Sequence, residues 1–184
     1  MAFKDNTLTF EDTKIVDTST NKEVMMSWEA PIMEKVAEFI SHNSGDILEI
    51  GFGMGVCSDY IQAQGVNSHT IIEIHPQIIE RLNTWANGKS NVTVIEGDWN
   101  SVSGLSTYDG IFLDTYEDSS VDYFKEFALD KIKSGGKITY WNNLEKEYDE
   151  FGFDSVSYDK ISVTPDSNSY TNIGSYYYMP KVQL

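Results

Sequence analysis

The stretch from Asp46 to Val56, DILEIGFGMGV, constrains this chain more than any other. A short apolar run carrying Glu49 breaks into Gly51, Gly53 and Gly55, with Phe52 and Met54 between them. Aliphatic residues followed at once by closely spaced glycines read as a buried strand turning tightly into a helix. Glycine tolerates positive φ and offers a ligand bare backbone where another residue would present a Cβ. In a doubly wound sheet such a turn lies at the carboxyl end of the first strand, where ligands bind. The dinucleotide fingerprint G-x-G-x-x-G would need its third glycine at Val56. A nicotinamide-dependent oxidoreductase therefore fits the spacing poorly.

The flanking sequence supplies the rest of a sheet of that kind. Residues 1–23 alternate loosely and predict a short hairpin or an extended arm. In the stretch that follows, Trp28, Ile32, Met33, Val36, Phe39 and Ile40 recur at helical spacing, with Pro31 tolerated in the first turn. After the glycines, Cys57 to Ala63 predicts a short helix, HTIIEIH (69–75) a second strand, and Pro76 to Trp85 a helix. NVTVIEGDW (91–99), YDGIFLDTY (108–116) and KITYWNN (137–143) predict three more strands. Val121 to Ile132 has helical spacing, closed by Ser134-Gly135-Gly136. The runs VSYDKISV and SYYYMP predict an antiparallel pair. Strand and helix alternate, which implies an α/β domain with a mainly parallel sheet and right-handed crossovers.

Charge narrows the partners. The 184 residues suit one domain, and 29 acidic against 13 basic side chains leave a net charge of −16. That field repels nucleic acid and anionic membranes and attracts cations, although a solvated acidic surface accounts for most of it. No apolar run approaches the roughly 18 residues of a membrane span, and the N-terminus lacks a signal-peptide pattern. A soluble, cytoplasmic chain, monomeric or homodimeric, is the expectation. Cys57 is the only cysteine, which excludes an internal disulfide and marks it as a small packed hydrophobe. His42, His69 and His75 show no metal-ligand spacing, so no metal is expected.

Carboxylates at strand ends carry the chemistry. Glu73 ends the second strand, placed to accept from both ribose hydroxyls of a nucleoside. Asp98 repeats that position one strand further out, where it could meet an adenine amino group while Trp99 covers a ring face. Two acids are left over: Glu29 at a helix start and Asp114 after the apolar fourth strand. Two carboxylates flanking a small pocket suit a planar cation with several N–H donors, a guanidinium. Tyr116 and Tyr140 read as packing residues first.

The glycines, at every second position with Glu49 two before the first, resemble the E-x-G-x-G-x-G signature of class I S-adenosylmethionine-dependent methyltransferases. VMMSWEAPIM, ILEIGFGMG, TIIEIHP, YDGIFLDTY, GGKITYWN and SYYYMP, spread over residues 24–180, resemble the guanidinoacetate N-methyltransferase family. The resemblance implies a three-layer Rossmann-like fold, its mostly parallel seven-stranded sheet closed by a C-terminal antiparallel hairpin. It implies a methyltransferase domain over 24–184, behind an arm or lid at 1–23. It also implies that S-adenosylmethionine is the cofactor, and that Glu29 and Asp114 bind the substrate guanidino group. Cofactor contacts fall on Met25, Met33, Gly51, Phe52, Gly53, Met54, Gly55, Glu73, Ile74, His75, Asp98 and Trp99. Backbone at Asn143 and Leu144 matches the positions that hold the substrate carboxylate.

Two departures bear on substrate. No tryptophan precedes Trp28, so either Phe3 or Phe10 substitutes for the one the family uses to cover the site, or the lid is different. The segment NLEKEYDE replaces a more hydroxyl-rich stretch. Guanidinoacetate is the leading acceptor; free arginine, another guanidino compound or a small amine are the alternatives. A non-catalytic S-adenosylmethionine binder would need neither Glu29 nor Asp114.

Overall fold

The computed structural model describes residues 2–116, 120–166 and 173–184. Aliphatic residues on both faces of the strands build one central sheet. Its strands are β4 (Asp46–Ile50), β5 (Ser68–Glu73), β6 (Val92–Glu96), β7 (Tyr108–Leu113), β8 (Ile132–Tyr140), β9 (Ser157–Ser162) and β10 (Tyr176–Gln183). They lie in the order β6-β5-β4-β7-β8-β10-β9. The first five are parallel, and β10 runs antiparallel to both β8 and β9. The expected seven-stranded α/β sheet and its closing hairpin are both present.

Successive residues of β4 point to opposite faces and found opposite cores. Ile47 packs with Ile32, Met33, Val36 and Ile40 of α1 (Ala30–Ile40) and with Cys57 and Ile61 of α2 (Val56–Ala63). Leu48 and Ile50 join Phe124 and Ala128 of α4 (Ser120–Lys131), along with Tyr140, Phe151 and Phe153. Tyr140 is thus a core residue, its hydroxyl donating to Asp149 at 2.6 Å. The third helix, α3 (Pro76–Ala86), buries Ile78 and Leu82 beside Leu8 and Ile15. No described helix is long and apolar enough to cross a membrane.

Two local readings change. Residues 8–26 form three antiparallel strands, β1 (Leu8–Phe10), β2 (Lys14–Asp17) and β3 (Lys22–Met26), where a single hairpin or an arm was expected. Thr18 to Asn21 supply the second turn, with Asn21 at φ 56°. The fifth strand begins at Ile132 and not at Lys137. Ile132 is wanted in the core and pairs with Tyr108, after which Ser134-Gly135-Gly136 bulges out and pairing resumes at Gly110–Lys137.

Strand β4 leads to β5 on one side, and the chain later returns on its other side through β7. The strand order reverses there, which opens a crevice beyond the carboxyl ends of β4, β5 and β7.

Candidate active site

That crevice is a cavity of about 830 Å³. Its floor is the glycine turn. Gly51 sits at φ 93°, and a Cβ there would lie 1.9 Å from the carbonyl oxygen of Asp114. Gly53, at φ 54°, meets the same conflict on its other neighbour, since a Cβ there would lie 2.4 Å from the sulfur of Met25. The turn therefore passes between the end of β7 and β3 with no room for a side chain on that side. The Met54 N–H donates to the Met25 sulfur at 3.0 Å, which ties the turn to the N-terminal sheet.

Glu73 is fixed by backbone. The N–H of Phe52 reaches one carboxylate oxygen at 2.9 Å, and those of Ile74 and His75 reach the other at 2.8 Å each. Burial raises its pKa against those donors and the Gly53 N–H. Asp98 is exposed at the cavity rim and accepts from the Asn100 N–H at 3.0 Å. Trp99 is buried beside it, edge-on to Phe124 and Phe127, so it borders the cavity as part of the core.

Glu29, just before α1, and Asp114, just after β7, both border the cavity. The Glu29 side chain caps no helix although it directly precedes α1, so it is not spent on the helix dipole. It is 4% exposed. Burial, then the charge of Asp114, pushes its pKa well up; Glu23 adds to this and the Met26 N–H opposes it. Asp114 hangs from β7 with its N–H on the Ile50 carbonyl at 2.9 Å. Burial first, then Glu49 and Glu73, pushes its pKa up to about 7. Like charges are gathered here, and no ion pair to a basic side chain offsets them among the described residues.

Glu49, read from the sequence only as the acid of the glycine signature, also belongs to the site. It borders the cavity with 1% of its surface exposed, and it accepts from the Ser58 hydroxyl at 2.5 Å and the His69 Nε2–H at 2.9 Å. The Gln62 amide nitrogen meets His69 Nδ1 at 3.2 Å; an amide nitrogen only donates, which puts the ring proton on Nε2. The available signal was a polar residue, His69, opening an otherwise apolar strand.

Of the expected residues, Met25, Glu29, Met33, Gly51, Phe52, Gly53, Glu73, Ile74, Asp98, Trp99, Asp114 and Asn143 border the cavity. Met54, Gly55, His75 and Leu144 do not. His75 instead caps α3, its Nδ1 accepting from Gln77 at 3.2 Å, while its Nε2 meets the Asn6 carbonyl at 3.2 Å. Phe3 packs on His75 and Tyr116, with ring centroids 4.8 Å apart in each pair, and borders the cavity. Phe10 lies elsewhere, beneath Arg81.

A parallel sheet with this strand order, a glycine turn at its switch point and a pinned acid one strand over define a class I S-adenosylmethionine-dependent methyltransferase. The chain belongs to the guanidinoacetate N-methyltransferase family, whose family model matches residues 1–161. It is 30% identical to protein arginine N-methyltransferase 2 of Saccharomyces cerevisiae, over 95% of this chain and 51% of that protein. Against the Aspergillus oryzae protein of the same name it is 33% identical, over 77% of this chain and 37% of the relative. The chain thus spans about half or less of the length of these relatives. Among solved structures it resembles precorrin-6y C5,15-methyltransferase from Geobacter metallireducens (TM-score 0.64, 14% identity, 83% and 87% of the two chains). It also resembles spermidine synthase from Thermotoga maritima (TM-score 0.66, 12% identity, 96% and 72%). Both likenesses concern the fold alone.

The cofactor is S-adenosylmethionine. The residues present fit it: a turn where Gly51 and Gly53 leave backbone open, an acid fixed at the end of β5, and room for a nucleoside and an acceptor together.

Proposed function

We propose that this chain methylates a nitrogen of a guanidino group. The observation that carries the reading is the pair Glu29 and Asp114, one buried and one half-buried carboxyl bordering one cavity, with no basic side chain paired to either among the described residues. A guanidinium is always protonated and presents five N–H donors in a plane, so it can serve both acids at once. Binding it replaces mutual repulsion with two charge-assisted sets of hydrogen bonds.

S-adenosylmethionine supplies a methyl group made electrophilic by its sulfonium. Glu73 and the backbone of Gly51 to Gly53 hold the nucleoside, with Asp98 and Trp99 at the base. Holding the acceptor nitrogen in line is the chain's largest contribution, since alignment alone can be worth about 7–11 kcal/mol. Asp114 would hydrogen-bond the reacting nitrogen and take its proton as the C–N bond forms and the sulfonium C–S bond breaks, leaving S-adenosylhomocysteine, while Glu29 keeps the remaining nitrogens in place. An ordinary carboxylate, with a pKa near 4, is a weak base for this task. Burial and the charges of Glu49 and Glu73 move Asp114 in the useful direction, to about 7.

In this reading residues 1–23 cover the site and residues 24–184 are the catalytic domain. Phe3, packed on His75 and Tyr116, is the cover's aromatic contact with the cavity. Guanidinoacetate is the acceptor named by the family. The relatives' name, protein arginine N-methyltransferase 2, supports a second acceptor, the side chain of arginine. Labelled methyl transfer from S-adenosylmethionine to guanidinoacetate, arginine, guanidine and glycine tests the proposal. Guanidino compounds should accept methyl and glycine should not; transfer to glycine alone would overturn it.

A further inference from the structure

We infer that Trp141 selects a planar guanidinium over an alkylammonium by stacking its indole on the face of the cation. The inference rests on the guanidino reading above and adds a residue to the same site. Two carboxyls recognise positive charge and would hold an ammonium as readily. A flat aromatic face is what distinguishes a flat cation.

Trp141 leaves the sheet beside Asp114. Leu113 pairs with Tyr140 in the parallel register of β7 and β8, and both join the core beneath α4. The pleat turns the next pair, Asp114 and Trp141, towards the α1 side. There Trp141 packs against the core that Ile32, Met33 and Val36 build, and Glu29 stands just before α1. The Trp141 backbone N–H donates to the Leu113 carbonyl at 2.9 Å, which fixes its backbone next to that of Asp114. Trp141, Glu29 and Asp114 all border the cavity.

The indole is held in place and has no polar group left to offer. Its N–H donates to the Asn143 side-chain oxygen at 3.0 Å. Its ring lies on Tyr177, with centroids 4.9 Å apart and planes 32° from parallel. Tyr177 is itself fixed, its hydroxyl accepting from the Asn142 N–H at 2.9 Å. Burial first, then the charges of Asp114 and Glu29, push the Tyr177 pKa well up against that bond, so this ring pair lies in the field of both acids. Among the described residues no second ring and no cation packs on Trp141. A half-buried indole anchored this way offers the cavity π surface beside the two carboxyls. Guanidinium, planar and weakly hydrated, gains from that surface; a compact, strongly hydrated ammonium gains less.

The test uses the full chain saturated with S-adenosylhomocysteine and compares ethylguanidine with butylamine by titration calorimetry. Wild type should bind ethylguanidine about tenfold or more tighter than butylamine. Trp141→Leu should weaken ethylguanidine about tenfold and butylamine no more than about twofold, with S-adenosylhomocysteine affinity unchanged. Trp141→Phe should keep ethylguanidine within about threefold of wild type. A second readout does not depend on the leucine variant folding. Ethylguanidine should perturb the near-ultraviolet indole spectrum of the wild-type chain, and Trp141→Phe, which retains Trp28, Trp85 and Trp99, should abolish that change. Equal weakening of both cations by Trp141→Leu, or an indole signal that survives in Trp141→Phe, would overturn this inference. Methyl transfer to guanidino acceptors by the wild-type chain would in that case leave the guanidino proposal standing. Cofactor binding without transfer to any guanidine would overturn both.

Discussion

The two ends of one parallel sheet treat carboxylates in opposite ways. At the amino end, Lys133 reaches Asp46 at 2.6 Å and Asp109 at 2.7 Å, stitching the starts of β4 and β7 to the strand that follows α4. Ser68 and Asn67 add hydrogen bonds to Asp46 at 2.7 and 2.6 Å. These acids are held below the usual carboxylate range; Asp46, bonded by Lys133 first, falls to about 2. At the carboxyl end, Glu29, Glu73 and Asp114 are raised by burial and have no such cationic partner among the described residues. The first arrangement is complete in the folded chain. The second leaves its acids without a cation, which is the gap the guanidino proposal fills.

Asp46 has a folded pKa of about 2 against an ordinary 3.8, so its contribution is present above about pH 4 and lost as pH falls towards 2. Asp114 goes the other way, from 3.8 to about 7. Its ionisation in the unfolded chain opposes folding progressively as pH rises from about 4 to 7. Acid unfolding therefore starts at the amino end, and cost at neutral pH accumulates at the site.

The sharpest way to break the contrast is to neutralise the site acids. Asp114→Asn and Glu29→Gln should each lower turnover by about 10² to 10⁴. Both should keep cofactor affinity, measured by titration calorimetry. The ligand-free Asp114→Asn protein should also be more stable at pH 8, by roughly 1–3 kcal/mol in denaturant unfolding. Loss of stability together with loss of activity would assign Asp114 to the framework.

A second prediction uses pH. The guanidinium stays charged throughout, so its affinity follows the ionisation of the coupled acids Asp114 and Glu29 within this range. Binding of a non-reactive alkylguanidine in the presence of S-adenosylhomocysteine should strengthen about tenfold per pH unit from 5 towards 7 and level off above. Uptake should release a proton near neutrality. A flat profile from 5 to 8 would mean that Asp114 is already ionised in the empty site.

How much of this was legible in the sequence differs between the two ends. The glycine turn, the strand alternation and the acids Glu29 and Asp114 stand in short, ordered patterns, and the structure brings them to one cavity. The Lys133 network was not legible, because it joins residues 24 and 87 positions apart that only sheet register brings together. Leu144 and His75 show the same limit from the other side. Both sit beside site residues in the sequence, yet the Leu144 N–H turns to Asn142, and the His75 side chain turns to Asn6 and α3. The extension of β8 back to Ile132 escaped because glycines that usually end a helix here form a bulge inside a strand.

Glu49 allows a finer test of the same contrast. It presses on Asp114 from within the sheet, second only to burial among the causes that raise its pKa. His69 and Ser58 donate to it from β5 and α2; Asp114 also feels the charge of Glu73 at the end of β5 and interacts with Glu29 before α1. Glu49→Gln keeps the side chain's shape and an acceptor oxygen. It should move the midpoint of alkylguanidine binding down by roughly one pH unit. An unchanged midpoint with intact folding would restrict Glu49 to packing.

The smallest expected effect lies at the amino end. Lys133→Met leaves Asp46 and Asp109 facing each other without their shared cation, although both keep neutral donors. The three side chains are about one-third exposed, so solvent screening limits the loss to about 1 kcal/mol. The loss should be visible in urea at pH 7 and should shrink as pH approaches 3, where the aspartates of the variant protonate. Turnover and the pH midpoint of acceptor binding should stay as they were, because none of these three residues borders the cavity. If Lys133→Met shifted that midpoint, charge would be coupled through the length of the sheet, and the two ends could no longer be treated as independent devices.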